Sequence, residues 1–488
     1  MTETAASGDY CPVENVTLSQ PVGPIVFFRG LAAGRMRAIA LMALPADMQA
    51  PEVVTDGVIA SPYRLYATSG VVVWGYPLDL PASGGIYWVD GVAYELAGVA
   101  DGDQRIGYVA CNGREHGDRD RPLGERNALW ARLAADHERE PFNLLLHGGD
   151  QLYADEMLNT HPALRRWQRG EVHADVDLAE VAAHLRGFLL QRYLELYSQP
   201  EPAWLLARVP SLCMWDDHDI CDGWGSLYDS QLDSPVGRTV FEVARELFLV
   251  FQMGATSADR PAVCCDPTGE SLTWSVELPG VSLVAPDLRS ERRPNRVMGE
   301  TGWRVFRQAL EKARGQRVFV LSSVPALGPR MSWIEAAMTV LPGIQQYEDD
   351  LRDQWQSRSH RTEWRRFLRA VVDCHEAGRA VTLLSGEIHL ATRGTMATAV
   401  GPVHQLVSSG ITHPAPPRGY ARILGWLARL GESPLPGHPI RLHPLPGQRT
   451  IYTPQRNYLI LERRDGTWCA HWQLEVDGAT PALTLAGG

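Results

Sequence analysis

Lysine is nearly missing from this chain: Lys312 is the single lysine among 46 basic side chains, the rest being arginine. A bias this uniform reads as genome composition, and no function follows from it. Cysteine is sparse and scattered, with eight residues (Cys11, Cys111, Cys213, Cys221, Cys264, Cys265, Cys374 and Cys469) and no CxxC pair. No disulfide framework is required, and a reducing compartment fits. The opening MTETAASGDYCPVENVTLSQ lacks the basic start and apolar run of a secretory signal, and no twin arginine stands near it, so a cytoplasmic location is expected. A long uninterrupted apolar run is also missing. The stretch from Ile25 to Leu44 is broken by Arg29, Arg35 and Arg37, each costing roughly 2.5 to 3.5 kcal/mol at a bilayer centre. No membrane partner is expected. Positive charge is in deficit, 46 basic against 57 acidic side chains for a net charge of -11, which excludes nucleic-acid binding by bulk charge.

What is present is a chain of 488 residues, 45% hydrophobic and 21% charged, the composition of a soluble globular protein. Residues 1–102 are rich in Val, Tyr, Trp and Gly, with runs such as VVVWGYPL and GIYWVDGVAYEL between turn residues, and predict a small N-terminal β-rich domain. Apolar strands and helical patterns then alternate: RIGYVAC, a helix from Asn127 to Arg139, FNLLLHGGD, and helices between Ala163 and Tyr197. Further strands are expected at VPSLCMWDD, SLTWSVEL, VSLVAPDLR, RVFVLSS and AVTLLSGEIHL, with an amphipathic helix from Tyr347 to Ala377 before the last. This βαβ grammar predicts an α/β catalytic domain over 103–413. Residues 414–488 follow as a Pro- and Gly-dense loop or lid around RILGWLARL, then C-terminal strands completing that domain.

Ligands of open α/β sheets gather outside the carboxyl ends of strands, and polar motifs accumulate there. They are Cys111 in YVACNG, HGGDQLY from His147 to Tyr153, WDDHD from Trp215 to Asp219, and SGEIH from Ser385 to His389. Singly each has a plain reading, as a small core cysteine, a tight turn or a satisfied polar pair. WDDHD resists one, because three carboxylates and an imidazole so close together repel unless something compensates. A metal is the simplest compensator. Cys111, Asp150, Tyr153, Asp217, Glu387 and His389 supply the mixture of thiolate, oxygen and imidazole that metal sites use. Two ions roughly 3.5 to 4 Å apart would suit the attacking and leaving oxygens of a phosphate ester.

The order of these motifs resembles that of the calcineurin-like metallophosphoesterases, and in detail the PhoD branch of alkaline phosphatases. An Ala-Cys strand end (Ala110, Cys111) stands for the usual Asp-x-His, followed by Gly-Asp-x-x-Tyr (Gly149, Asp150, Tyr153), Trp-Asp-Asp-His-Asp (Trp215 to Asp219) and Ser-Gly-x-x-His (Ser385 to His389). APDLRSER adds the branch's Asp-x-Arg-x-x-Arg at Asp287, Arg289 and Arg292, so the likeness spans about Ile106 to Ala391. Glu387 stands where the branch usually has Asp, and Asp155 and Glu156 follow the tyrosine.

The resemblance implies a four-layer α/β/β/α sandwich and hydrolysis of small-molecule phosphate esters, monoester or diester, by a metal-bound hydroxide at a binuclear site. It implies Asp150 as the bridge, Cys111, Tyr153 and His389 at one ion, and Asp217 with Glu387 at the other. Ferric iron with calcium suits these donors, with zinc or manganese as alternatives. His218 would act as acid or phosphate donor with Asp219 holding its tautomer, and Arg289 and Arg292 would pair with phosphate oxygens. His147, Ser322, Ser323, Ser408, Ser409 and His413 are candidates to support or line the pocket, and Trp224 and Tyr228 to wall it. Two other readings are open: a glycosidase using Asp216 and Asp219, which would need no Cys, Tyr or Glu-x-His set, and a metal-stabilised scaffold. His218 argues against the scaffold, since a closed structural site has no use for an unliganded acid.

Overall fold

A computed structural model describes residues 16–99, 102–171, 175–329 and 354–486. Two large sheets dominate it. The first, of eleven strands, has at its centre three parallel strands, Gln104–Val109, Leu144–Gly148 and Ser211–Met214, in register at Leu144 with Ile106 and Leu145 with Ser211. All three are buried along their whole length, as expected for strands covered on both faces. The second, of eight strands, has a parallel centre of Val281–Ala285, Arg317–Leu321, Ala380–Ser385 and Val403–Val407.

The sheets pack face to face through one core that takes Tyr108, Leu144 and Leu461 from the first and Leu283, Phe319 and Leu384 from the second. Polar links cross the same interface: the Trp274 indole donates to the Cys213 carbonyl at 2.8 Å and Trp472 to that of Val407 at 2.9 Å. Two long helices, Leu178–Tyr197 and Pro235–Met253, cover the outer face of the first sheet. Asp177 caps the former by accepting from the amides of Ala179 and Glu180, and Ser234 caps the latter. Helices Glu300–Lys312 and Arg361–Glu376 cover the second sheet around a separate core, where Phe306 stacks on Phe367 at 5.3 Å. The result is the predicted α/β/β/α sandwich. Of the expected helix from Tyr347 to Ala377, Arg361–Glu376 is helical, residues 354–360 form turns instead, and residues 347–353 lie outside the described residues.

Across the boundary between 1–102 and 103–413 the sheet is continuous. Val22–Ala32 pairs in parallel with Ser211–Met214 at Phe27 and Ser211, and Arg35–Pro45, Val71–Pro81 and Tyr63–Ala67 extend the first sheet beyond it. A four-stranded sheet of Val53–Thr55, Val58–Ile59, Gly84–Val89 and Val92–Ala97 belongs to the N-terminal region alone. The boundary thus marks a change of composition more than a break in hydrogen bonding. On the other edge Asn457–Arg464 and Thr467–Leu474 add to Gln104–Val109. The 414–448 segment is structured, with a helix Arg418–Ala428 and strands Glu432–Leu435 and His438–His443, the latter joined to Thr392–Met396 of the second sheet. Among the described residues no helix is long and apolar enough to cross a membrane.

Candidate metal centre

The polar motifs meet where the two sheets present the carboxyl ends of their parallel strands. Backbone geometry marks the spot. Of eight non-glycine residues with positive φ among the described residues, four are Cys111 (56°), Asp150 (55°), Glu387 (62°) and His389 (52°), each a candidate ligand from the sequence. Such conformations are strained for residues with a Cβ and cluster at functional sites. Close approach requires the neighbouring glycines: Gly149 has φ of 104° and a Cβ there would lie 2.8 Å from that of Asp216, while one on Gly386 would lie 2.5 Å from that of Ala110.

The donors form a chain of contacts. Cys111 Sγ lies 3.6 Å from Asp150 Oδ2 and 3.2 Å from Ser409 Oγ, and Tyr153 Oη lies 3.2 Å from His389 Nε2. Asp150, Asp217 and His218 offer ligand atoms within 4.8 Å of one another, as do Glu115, His389 and His413. Glu387 lines the same cavity, where Gln354 donates to its Oε2 at 2.7 Å.

Burial sets the electrostatics. It pushes the Cys111 thiol and the Tyr153 hydroxyl well above their ordinary values, with Asp150 adding to both, and it lifts Asp150 itself, helped by Asp216. His389 is held well below its ordinary value by burial and by His413. Donors so disposed are poor anions alone and good ones around a cation. Asp150 Oδ1 is buried with no hydrogen-bond partner, a cost that a cation would remove. The donor set and this orphaned oxygen fit a metal.

His218 stacks on Tyr153 with ring centroids 4.4 Å apart. Burial alone would lower its pKa, but Asp155, Asp217 and Asp150 outweigh that and hold it well above the ordinary value. The partner of Nδ1 is Asp155, at 2.8 Å, and not Asp219 as expected. Asp219 instead accepts from the amides of Asp150, Leu152 and Asp216, each at 3.0 Å, and from Gln252 at 2.7 Å. It staples the HGGDQLY turn to the WDDHD turn. Burial pushes its carboxyl up to about 7 even against those hydrogen bonds.

The phosphate-binding role expected of Arg289 and Arg292 is also corrected. Both are buried and neither lines the cavity. Arg289 pairs with Asp216 through Nε and with Asp217 at 3.3 Å, and donates to the Trp224 carbonyl at 3.2 Å. Asp287 accepts from the Trp215 indole at 2.9 Å. The APDLRSER turn therefore braces WDDHD from behind, with Arg289 and Arg292 in the interior. Among the described residues the arginine that does line the cavity is Arg114, which is exposed and three residues beyond Cys111.

That cavity, of about 770 Å³, has Asp150, Asp217, His218, Glu387 and His389 at one end. Leu327, Ile388, Tyr420, Leu424 and Tyr452 supply apolar lining. His413 enters the site as a close neighbour, stacked on His389 with centroids 3.4 Å apart and 2.9 Å from Glu115. Burial opposes ionisation of Glu115, yet that hydrogen bond and the charge of His413 drive its carboxyl below the usual range. Of the other residues singled out, His147 is tied to Gln151 (2.9 Å) and Ser211 (3.1 Å), and Ser323 donates to Asp216 at 2.8 Å. Trp224 is buried packing, and Tyr228 is exposed away from the cavity lining. Asp155, Glu115 and Arg114 were not among the expected site residues; their signal was adjacency, since each lies within four residues of an expected ligand.

Residues 109–346 match the family model of the PhoD related phosphatases. An uncharacterized protein of Saccharomyces cerevisiae is 23% identical over 346 residues, which cover 58% of this chain and 49% of that protein; the match thus spans about half of the relative's length. Among solved structures, PhoD superposes with a TM-score of 0.61 at 13% identity, covering 96% of this chain and 90% of that one. A purple acid phosphatase from yellow lupin (Lupinus luteus) seeds gives 0.53 at 12% identity, with 95% and 74% covered. The fold is that of these metallophosphoesterases.

Proposed function

Because residues 109–346 match the family model of the PhoD related phosphatases, we propose that this chain is a metal-dependent hydrolase of phosphate esters. The observation that carries the reading is Asp150. It has an orphaned buried oxygen, it touches Cys111, and it lies within 4.8 Å of donors on Asp217 and His218 at the end of a large cavity.

Two ions would be held by Cys111, Asp150, Tyr153 and His389 on one side and by Asp150, Asp217 and Glu387 on the other. Iron suits the thiolate and phenolate, calcium the carboxylates, and zinc or manganese are alternatives. Bound cations of this kind lower the pKa of water towards neutrality and withdraw charge from a phosphate. His218, with Nδ1 committed to Asp155, offers Nε2 to give a proton to the leaving oxygen. Arg114 can pair with a nonbridging oxygen from the cavity wall. A cavity of about 770 Å³ leaves room for a second ester arm, which brings diesters within the substrate range alongside monoesters.

The test is to purify the protein without added metal, measure its metal content by elemental analysis, and assay paired aryl phosphate monoester and diester substrates. About two ions per chain with hydrolysis of either ester is expected, with activity lost on chelation and restored by metal. A metal-free sample that no metal activates would sink the reading.

A further inference from the structure

The helix Arg418–Ala428 is apolar on two opposite sides. Its inner side is accounted for: Ala421, Leu424 and Ala428 pack with Leu390, Ile451 and Tyr452 in a small cluster of their own, and Tyr420 and Leu424 line the cavity. The outer side is not. Ile423 is 58% exposed, Trp426 65%, and Leu430, just past the helix end, 67%. Their spacing of three and four residues places them along one stripe at 100° per residue. Single exposed apolar residues are ordinary, but a stripe of three large ones in a row is a docking signature.

Charge indicates what docks. Arg418, Arg422 and Arg429, all exposed, are spaced four and seven apart and form a flank between the two apolar sides. From Ile411 to Gly431 no acidic residue occurs, within a chain whose net charge is -11. A helix lying in a membrane interface has this pattern: large apolar residues, tryptophan among them, directed into the acyl boundary, with arginines at the depth of the headgroups. A purely apolar partner would leave the arginines without counter-charge, and an acidic protein surface would leave the stripe exposed.

We propose that this helix docks the protein on an anionic lipid surface and presents the cavity to phosphate esters that carry an apolar arm. The docking rests on the helix; the substrate class rests also on the hydrolase reading above. The cavity has a matching division, with carboxylates and imidazoles at one end and Leu327, Ile388, Tyr420, Leu424 and Tyr452 as apolar lining. Tyr420 and Leu424 belong to the docking helix itself, so an ester arm leaving the lipid would pass directly along its inner face. The lack of a membrane span in the sequence does not bear on docking of this kind, which needs no crossing.

The experiment is cosedimentation of the full chain with vesicles of phosphatidylcholine alone or doped with phosphatidylglycerol, beside a Trp426→Ser/Leu430→Ser variant. Neither residue lines the cavity. The wild type should bind the anionic vesicles at least roughly tenfold more tightly than the neutral ones, and the double variant should lose at least about tenfold of that binding. Turnover of a short soluble aryl phosphate should be equal in the two proteins, while turnover of a vesicle-borne phosphate ester falls at least about tenfold in the variant. No binding of the wild type to anionic vesicles, or equal binding of both proteins, overturns the proposal. So does a dimer dissolved by the substitutions without vesicle recruitment, which assigns the stripe to a second copy. Soluble turnover with no action on the vesicle-borne ester removes the substrate class. Binding without hydrolysis of any ester removes the hydrolase reading and leaves docking standing.

Discussion

The two sheets contribute to the site in different ways. The first supplies Cys111, Asp150, Asp217 and His218 from turns locked to one another by interior charges: Asp219 ties two turns together, Arg289 pairs with Asp216 and Asp217, and Asp155 fixes the imidazole. The second supplies Glu387 and His389 from a single turn, held by the His389 amide donating to Ser409 Oγ at 2.9 Å, by the Gly386 amide donating to the Ser323 carbonyl at 3.0 Å, and by Gln354. One bank is over-determined by a buried network, the other is braced lightly and borders the cavity's apolar lining. Proton transfer requires a fixed donor, whereas a bank that shapes the substrate's surroundings can vary more cheaply.

Substitutions can break or sharpen this contrast. The largest effect is expected at His218. His218→Ala should lower turnover by roughly 10² to 10⁴ with fold and metal content intact, read by steady-state kinetics beside elemental analysis; unchanged turnover removes the acid assignment. Arg289→Met comes next. It withdraws the cation from two buried carboxylates and should cost about 3 to 5 kcal/mol of stability in urea unfolding, and a stability within the error of wild type would show the first bank to be less braced than its contacts suggest.

Smaller effects separate orientation from anchoring. Asp155→Asn should lower turnover roughly 10- to 100-fold and shift its pH profile, because it alters the partner of the imidazole proposed as the acid. Asp219→Asn should mainly cost stability, with the pH profile kept. The reverse pattern would restore the assignment made from sequence. On the second bank, Gln354→Ala should cost about 1 to 3 kcal/mol, the loss of one buried hydrogen bond to a carboxylate, and reduce turnover by less than Asp155→Asn does; a larger loss of stability than Arg289→Met produces would invert the comparison.

Much of the site was legible because its donors are strand-end residues, and a strand ends where an apolar run gives way to glycine and carboxylate. Gly149-Asp150 and Gly386-Glu387 stand at such junctions, and Ala110-Cys111 at the end of an apolar run that gives way to Asn112 and Gly113. What escaped was pairing. Asp155 and Asp219 are both acids near His218 in composition, and sequence distance favoured Asp219, one residue away, over Asp155, 63 residues away. Only the fold brings the latter to Nδ1. Burial escaped too: nothing in RSERR distinguishes an interior arginine from a solvated one, since the carboxylates that neutralise Arg289 lie on another strand end. Continuity of the first sheet was hidden for a related reason, because pairing of Phe27 with Ser211 leaves no local trace. The outer stripe of Arg418–Ala428 escaped as well, because the surrounding prolines and glycines mark RILGWLARL as part of a loop or lid.

The four candidate ligand positions with left-handed backbone have a consequence for how this molecule could be improved. A residue with a Cβ pays roughly 1 to 2 kcal/mol for that conformation relative to glycine, and at Glu387 and His389 it is adopted twice within three residues. Glycine at either position should raise the melting temperature while lowering metal affinity. Selection for heat resistance alone would therefore drift towards a sturdier and inert protein, so a stabilised variant that stays active must have gained its stability elsewhere.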